Sequence, residues 1–216
     1  MRTAGTRRPH IANRVERAVG PLHAEIRFCR PPQPPHYTAM TNYRRNRVPG
    51  GTYFFTVNLL DRRSGLLVQH IQNLRGAVRQ VRAQAPFHID AWVVLPEHLH
   101  CVWTLPKGDT DFSSRWKAIK AAFSKKLPNG EARSASRAGK GERGIWQRRF
   151  WEHTIRDDRD YVAHIDYVHF NPVKHGLVSV LQDWPYSSFH RDVALGAYPA
   201  AWAGGTMDIA EAGERS

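Results

Sequence analysis

Apolar and polar positions alternate along this chain with two periods, and the switches between them mark out its elements. Residues 52 to 60, TYFFTVNLL, are dense in aromatic and β-branched side chains and follow the turn-forming Pro49, Gly50 and Gly51, which predicts a first, largely buried strand. Ile71, Leu74, Val78 and Val81 recur at three- and four-residue spacing, the mark of an amphipathic helix whose outer face bears Arg75, Arg79 and Arg82. HIDAWVVL, residues 88 to 95, predicts a strand ended by Pro96, and HCVWTL, from His100 to Leu105, predicts another close enough to make a hairpin. Residues 113 to 126 place Trp116, Ile119 and Phe123 on one helical face, with Arg115, Lys117, Lys120, Lys125 and Lys126 largely off it. Residues 128 to 144 are rich in Gly, Ser, Arg and Lys without apolar periodicity, the pattern of a mobile loop inside the domain. IWQRRFWEHTI, from Ile145, predicts a strand. Asp157 or Asp158 then caps a helix through DYVAHIDYVHF that Asn171 and Pro172 end or bend. Hairpin-joined strands in the order strand, helix, strand, strand, helix, strand, helix indicate an α+β domain with an antiparallel sheet, not a doubly wound parallel one.

Length and charge narrow this picture. A chain of 216 residues with 41% hydrophobic content can build one catalytic domain with a proper core plus extensions. Residues 1 to 39 hold seven Arg, two Glu and the cluster Pro31, Pro32, Pro34, Pro35, and read as a flexible basic arm that a start at Met40 would remove. The folded domain is expected over residues 40 to 205, with 206 to 216 a disordered tail. Without the five net charges of the arm, the formal charge of +13 falls to +8, so the basic character belongs to the domain. A polyanion partner follows. No run approaches the ~18 apolar residues of a spanning helix, so nucleic acid is favoured over a membrane. The two cysteines, Cys29 and Cys101, form no disulfide framework, and the first 30 residues lack an apolar signal region. A cytoplasmic protein is expected.

Candidate chemistry centres on His98-Leu99-His100. Residues two apart in a strand project from one face, so both imidazoles can reach one metal ion while Leu99 turns into apolar packing with Cys101 and Trp103. Taken alone, the pair reads equally as incidental surface or hydrogen-bonded histidines. A structural zinc site lacks its usual four ligands, because Cys101 faces away from the histidines. In DYVAHIDYVHFNP, Tyr167 and Asn171 lie one turn apart on one helical face. Tyrosine is a natural covalent carrier in phosphoryl transfer, since its ester conserves the energy of the broken phosphodiester. Its ordinary pKa near 10 requires help from nearby cations or a base. Spacing alone leaves Tyr167 a core aromatic, and Tyr161, Tyr186 and Tyr198 packing or surface groups. Arg44, Arg45 and Arg47 beside Tyr43, and the helical face of Arg115, Lys117 and Lys120, could contact phosphates or be solvated surface. Trp146, Phe150 and Trp151 could stack on bases or fill the core.

These motifs resemble a known family. LPEHLHCVWTLP resembles the HUH metal motif, and IWQRRFWEHTIRDDRDYVAHIDYVHFNPVKHGLV resembles the nucleophile region of the REP-associated tyrosine transposases, single-tyrosine relatives of the insertion-sequence-200 enzymes. YRRNRVPGGTYFFTVNL and DWPYSSFHRD are similar to that family too, so the likeness spans roughly residues 43 to 205. It implies a ferredoxin-like core with the nucleophile helix laid against the histidine-bearing strand. It also implies His98, His100 and Asn171 as ligands of Mg²⁺ or Mn²⁺, and Tyr167 as nucleophile. Asn171 stands where the insertion-sequence relatives typically have glutamine. The implied partner is a single-stranded DNA hairpin, cleaved near its foot through a 5′-phosphotyrosine. The alternative is a DNA-binding descendant that no longer cuts. By resemblance the insertion-sequence branch holds many dimers that exchange the tyrosine helix and the REP-associated branch looks monomeric, and the sequence does not decide between monomer and homodimer.

Overall fold

The computed structural model describes residues 45–131 and 133–204. The basic arm, Cys29, Tyr43, Arg44 and the expected tail lie outside the described residues. Four strands, β1 (Thr52–Asn58), β2 (His88–Val94), β3 (His98–Thr104) and β4 (Trp151–Thr154), make one sheet in the order β2-β3-β1-β4. Every neighbouring pair is antiparallel. The long helices are α2 (Ile71–Gln84), α3 (Phe112–Lys125) and α5 (Asp158–Lys174). Short helices α1 (Leu66–Gln69), α4 (Ala135–Ala138) and α6 (Phe189–Ala194), with a 3₁₀ turn at Leu181–Asp183, complete the fold. This is the ferredoxin-like antiparallel sheet, and among the described residues no helix is long and apolar enough to cross a membrane.

The two central strands are buried on both faces, and this explains why β1 reads as a nearly unbroken apolar run. Tyr53, Phe55 and Val57 of β1 share one face with Leu99, Cys101 and Trp103 of β3, and this face packs on α2 and α3. Trp103 stacks on Trp116 of α3 with ring centroids 4.4 Å apart. The alternate residues, Phe54 of β1 and Ala91, Val93 and Val102 of β2 and β3, face α5, which supplies Tyr161, Ile165, Tyr167 and Val168. Period-two alternation on β3 therefore puts His98 and His100 under α5, away from Cys101.

Helix α5 has clear ends. Asp157 caps it, its carboxylate accepting from the Asp160 amide at 2.8 Å. Pro172 neither ends nor breaks it; the helix runs to Lys174 because its final carbonyls are satisfied beyond the proline. Leu177 N donates to Pro172 O and Gly176 N to Val173 O, a Schellman closure with Gly176 at φ +65°.

Two stretches differ from the sequence expectation. The strand predicted from Ile145 is confined to Trp151–Thr154, with Trp146 only bridged to Leu59, because Phe150 turns onto Phe55 and Phe112 and interrupts the ladder. The expected loop at 128–144 contains α4 and is tied to the end of α3 by Arg143. That guanidinium donates to Ser124 O, Leu127 O and Pro128 O and pairs with Glu131 at 2.6 Å.

Candidate active site

His98 and His100 open β3, immediately after the Pro96 and Glu97 turn that joins it to β2. Both are fully buried, with rings 4.8 Å apart and nearly perpendicular. Each Nδ1 is held by a neighbour: His98 Nδ1 by Glu97 Oε1 at 2.8 Å, and His100 Nδ1 by Thr56 Oγ1 at 2.9 Å. Thr56 is the residue opposite His100 in the β1–β3 register. Such contacts set ring tautomer and direct Nε2 towards a ligand. Burial depresses the His98 pKa against the opposing pull of Glu97, favouring the neutral ring that metals bind.

Helix α5 delivers the other members. The ring of Tyr167 is buried, 5.2 Å from the His100 ring and edge-on to it. Its hydroxyl accepts from the ammonium of Lys174 at 3.1 Å, and that nitrogen lies 4.7 Å from the ring centroid. Asn171, one turn after Tyr167, is fully buried, and neither atom of its amide has a hydrogen-bond partner among the described residues. A buried polar group left so costs about 1–3 kcal/mol. That orphaned amide is the observation that fits a metal: an amide oxygen with two imidazoles supplies three donors and leaves positions open on a six-coordinate ion. His175, at the helix end, brings its ring to 5.1 Å from His98.

A second group of metal-capable side chains lies on the same sheet face. His153 of β4 and Asp160 and His164 of α5 hold donor atoms within 4.8 Å of one another. The His153 and His164 rings stack at 4.6 Å; His153 Nε2 bonds to the Asp160 carboxylate at 2.8 Å, and His164 Nδ1 bonds to the main-chain carbonyl of Asp160 at 2.8 Å with the carboxylate 3.0 Å away. Burial opposes ionisation of Asp160, yet hydrogen bonds from His153 and the Arg156 amide bring its pKa below normal. The cluster clamps the β4–α5 corner and can coordinate a metal ion. Phe54 separates it from the first group, with its ring 4.9 Å from His164 and 5.5 Å from His100. Sequence reasoning missed this cluster and also Thr56, Glu97, Lys174 and His175. Only the four-residue spacing of Asp160 and His164 signals it in advance.

The cationic residues proposed for DNA separate into two groups. Arg115, expected on an outward face, is buried: its guanidinium donates to Ala85 O, Pro86 O and Asp111 O and pairs with Asp109 at 2.6 Å. It closes the α2–β2 connection instead of meeting solvent. Lys120 donates to Gln147 O at 3.0 Å beside Trp146 and Phe150, and burial pushes its pKa down to about 8. Arg45 lies 4.1 Å over Phe150 and pairs with Glu152. Arg47 and Lys117 remain exposed. Arg115→Ala is expected to cost about 3 kcal/mol in chemical denaturation, because it strands buried acceptors and Asp109. Lys117→Ala should stay within about 0.5 kcal/mol of wild type; equal, small effects would contradict the structural role of Arg115. Ile145 and Trp146 are core residues, and Phe150 packs against the same core.

No family model matches the chain. A REP-associated tyrosine transposase of Escherichia coli K12 is 54% identical over 176 residues, covering 82% of this chain and 98% of that protein. A relative from Haemophilus influenzae Rd that carries the same family name is 47% identical over 172 residues, covering 79% of this chain and 97% of its own. A solved REP-associated tyrosine transposase bound to a REP hairpin is 54% identical, with a TM-score of 0.70 over 82% of this chain and 99% of that one. Identity at this level, carried over almost the full length of both named relatives, places the chain in the REP-associated tyrosine transposase family.

Proposed function

We propose that the chain is a metal-dependent endonuclease and strand-transfer enzyme that acts on single-stranded DNA at REP-type hairpins, with Tyr167 as its nucleophile. The observation that carries this reading is the seating of the Tyr167 ring against His100 with its hydroxyl under the Lys174 ammonium. The Tyr167 oxygen attacks the scissile phosphorus, the 3′-oxygen of the preceding nucleotide leaves, and the 5′-phosphate stays on the tyrosine. The 3′-hydroxyl of the same or another strand reverses the step, because the phosphotyrosine ester retains the energy of the bond. The solved relative's REP hairpin and the surplus of cations support DNA as substrate.

His98, His100 and Asn171 are the residues that would hold the ion, Mg²⁺ or Mn²⁺ by the mixed nitrogen and oxygen donors and open positions. When bound, it polarises the phosphate and offsets charge gathering on its oxygens. Lys174 acts on the phenol directly: its ammonium donates to the hydroxyl oxygen at 3.1 Å, where it orients that oxygen for attack and stabilises the negative charge that returns to it when the ester is broken. The test is to incubate the protein with a labelled single-stranded hairpin, with Mg²⁺ or EDTA. Cutting that needs the metal and leaves protein on the 5′ end is expected; cutting indifferent to EDTA would contradict the proposal.

Lys174→Gln is expected to slow single-turnover cleavage by about 10- to 100-fold, or ~1.4–2.7 kcal/mol of barrier, with hairpin affinity within a few-fold. Lys174→Arg should recover part of the rate. An unchanged rate in Lys174→Gln would reduce the lysine to a surface contact.

A further inference from the structure

The loop from Leu59 to Leu67 wraps the turn that precedes the histidines. Leu59 N donates to Glu97 O at 2.8 Å and Leu67 N to Pro96 O at 3.2 Å, so both ends of the loop are pinned to that turn. Across its middle, Ser64 N donates to Asp61 O and Leu66 N to Ser64 Oγ, each at 3.2 Å. A loop tied in this way has already lost most of its backbone freedom, so the side chains it carries are held in place before any ligand arrives.

Two adjacent arginines of this loop have different surroundings. Arg63 is an ordinary solvated residue, its side chain 93% exposed and paired with Asp61 at 3.5 Å. Arg62 turns back over the start of β3. Its guanidinium donates to Asn58 Oδ1 and lies 3.6 Å from Glu97 Oε1. Asn58 stands opposite His98 in the β1–β3 register, on the same face as Thr56, which holds His100. Glu97 Oε1 is the oxygen that holds His98 Nδ1 at 2.8 Å. The Arg62 guanidinium therefore sits on the histidine face, and it shares a carboxylate oxygen with His98. Its side chain is still 41% exposed, and among the described residues its N–H groups make one hydrogen bond, so donors remain for a ligand. A guanidinium beside metal-ligating side chains repels the ion they would hold. An anion seated between the two cations turns that repulsion into a clamp.

We infer that Arg62 is a further catalytic residue, which donates to the 3′-oxygen as it leaves the scissile phosphate. The inference rests on the proposed function for the reaction itself. Tyr167 and its partner Lys174 reach the histidines from α5, whereas Arg62 reaches them from the loop at the strand end. An in-line displacement puts the entering and leaving oxygens on opposite sides of phosphorus. Lys174 is engaged with the entering oxygen, and the cation mounted apart from α5 serves the leaving one. In this step the bond from the Tyr167 oxygen to phosphorus forms and the phenol proton passes to water. The bond from phosphorus to the 3′-oxygen breaks, its electron pair stays on that oxygen, and the oxygen takes a proton from water. A guanidinium keeps its own protons throughout and offers charge-assisted hydrogen bonds where the negative charge gathers. In the reverse step the same contact holds the incoming 3′-hydroxyl in line.

The test is single-turnover cleavage, in Mn²⁺, of two hairpin oligonucleotides that differ in one atom: the natural 3′-oxygen at the scissile position, or sulfur in its place. A thiolate is a far weaker base than an alkoxide and leaves without a donor's help, and Mn²⁺ accepts sulfur more readily than Mg²⁺ does. Arg62→Gln should cut the natural strand on the order of 100-fold more slowly than wild type, and the 3′-thio strand within about three-fold of it. Arg62→Lys, which keeps a charge without the planar fork, should recover part of the loss on the natural strand. Lys174→Gln should be slowed on both strands, because it serves the entering oxygen, and Arg63→Gln should match wild type on both. Where Arg62→Gln melts below wild type, Arg62→Lys carries the same comparison of the two strands. An equal loss on both would make Arg62 an anchor of its loop and overturn the inference. No loss on the natural strand would overturn it as well. A wild-type protein that cuts neither strand and forms no adduct would instead overturn the functional proposal on which this rests.

Discussion

Replacing Tyr167 by phenylalanine is expected to abolish strand cleavage and the covalent protein–DNA adduct, with hairpin affinity within a few-fold of wild type. The ring contacts survive the change: the packing on His100 at 5.2 Å and on Phe54 at 5.7 Å involves the ring, not the hydroxyl. The loss is the nucleophilic oxygen together with its bond to Lys174. Removing a covalent nucleophile costs on the order of 10⁴-fold or more in rate, and a phenyl ring has no substitute. Thermal stability should move little, because the lost hydroxyl had an exposed lysine as its partner. Cleavage that persists in Tyr167→Phe would point to water as the nucleophile.

The second large effect belongs to the histidine pair. His98→Ala with His100→Ala should lower Mg²⁺-dependent cleavage by at least ~10³-fold, about 4 kcal/mol of transition-state stabilisation. DNA affinity should persist, since neither ring belongs to the cationic surface. Stability should fall as well, because Thr56 and Glu97 lose the ring nitrogens they hold inside the fold. The same assay separates the two metal-capable groups. His153→Gln removes a donor from the cluster at the β4–α5 corner and is expected to leave metal-dependent cutting within about ten-fold of wild type. The opposite pattern, with metal dependence lost in His153→Gln and kept in the double variant, would move the catalytic ion to His153, Asp160 and His164.

The legible parts of this protein are those governed by local periodicity. Alternation along β1 and β3 and the three- and four-residue spacing on α2 and α3 placed these elements within one or two residues. The same alternation put the two histidines on one strand face and Cys101 on the other. The spacing of Tyr167 and Asn171 put both on the buried side of α5. What spacing cannot show is pairing across the sheet. Thr56 reaches His100 only through the β1–β3 register, and His153 meets His164 only because β4 and α5 turn back on each other. Lys174 shares a helix face with Tyr167 but lies two turns away, beyond the three- and four-residue spacing at which adjacent side chains meet, and reaches it only because its side chain is long. Charge patterns misled most at Arg115 and Lys120, whose partners are backbone carbonyls of other segments and leave no trace in side-chain sequence. Pro172 read as an end or a bend because the glycine closure that finishes α5 beyond it lies four residues further on.

The central claim is that one tyrosine of this chain becomes covalently joined to DNA. The direct measurement is to incubate wild-type protein with Mg²⁺ and a single-stranded hairpin labelled on the 3′ side of the cut, denature it, digest it, and identify the modified peptide by mass spectrometry. The account predicts a nucleotide attached through phosphate to Tyr167, absent in EDTA and in Tyr167→Phe. A cut strand with a free 5′-phosphate and no adduct, or an adduct on Tyr161 or Tyr198, would contradict it.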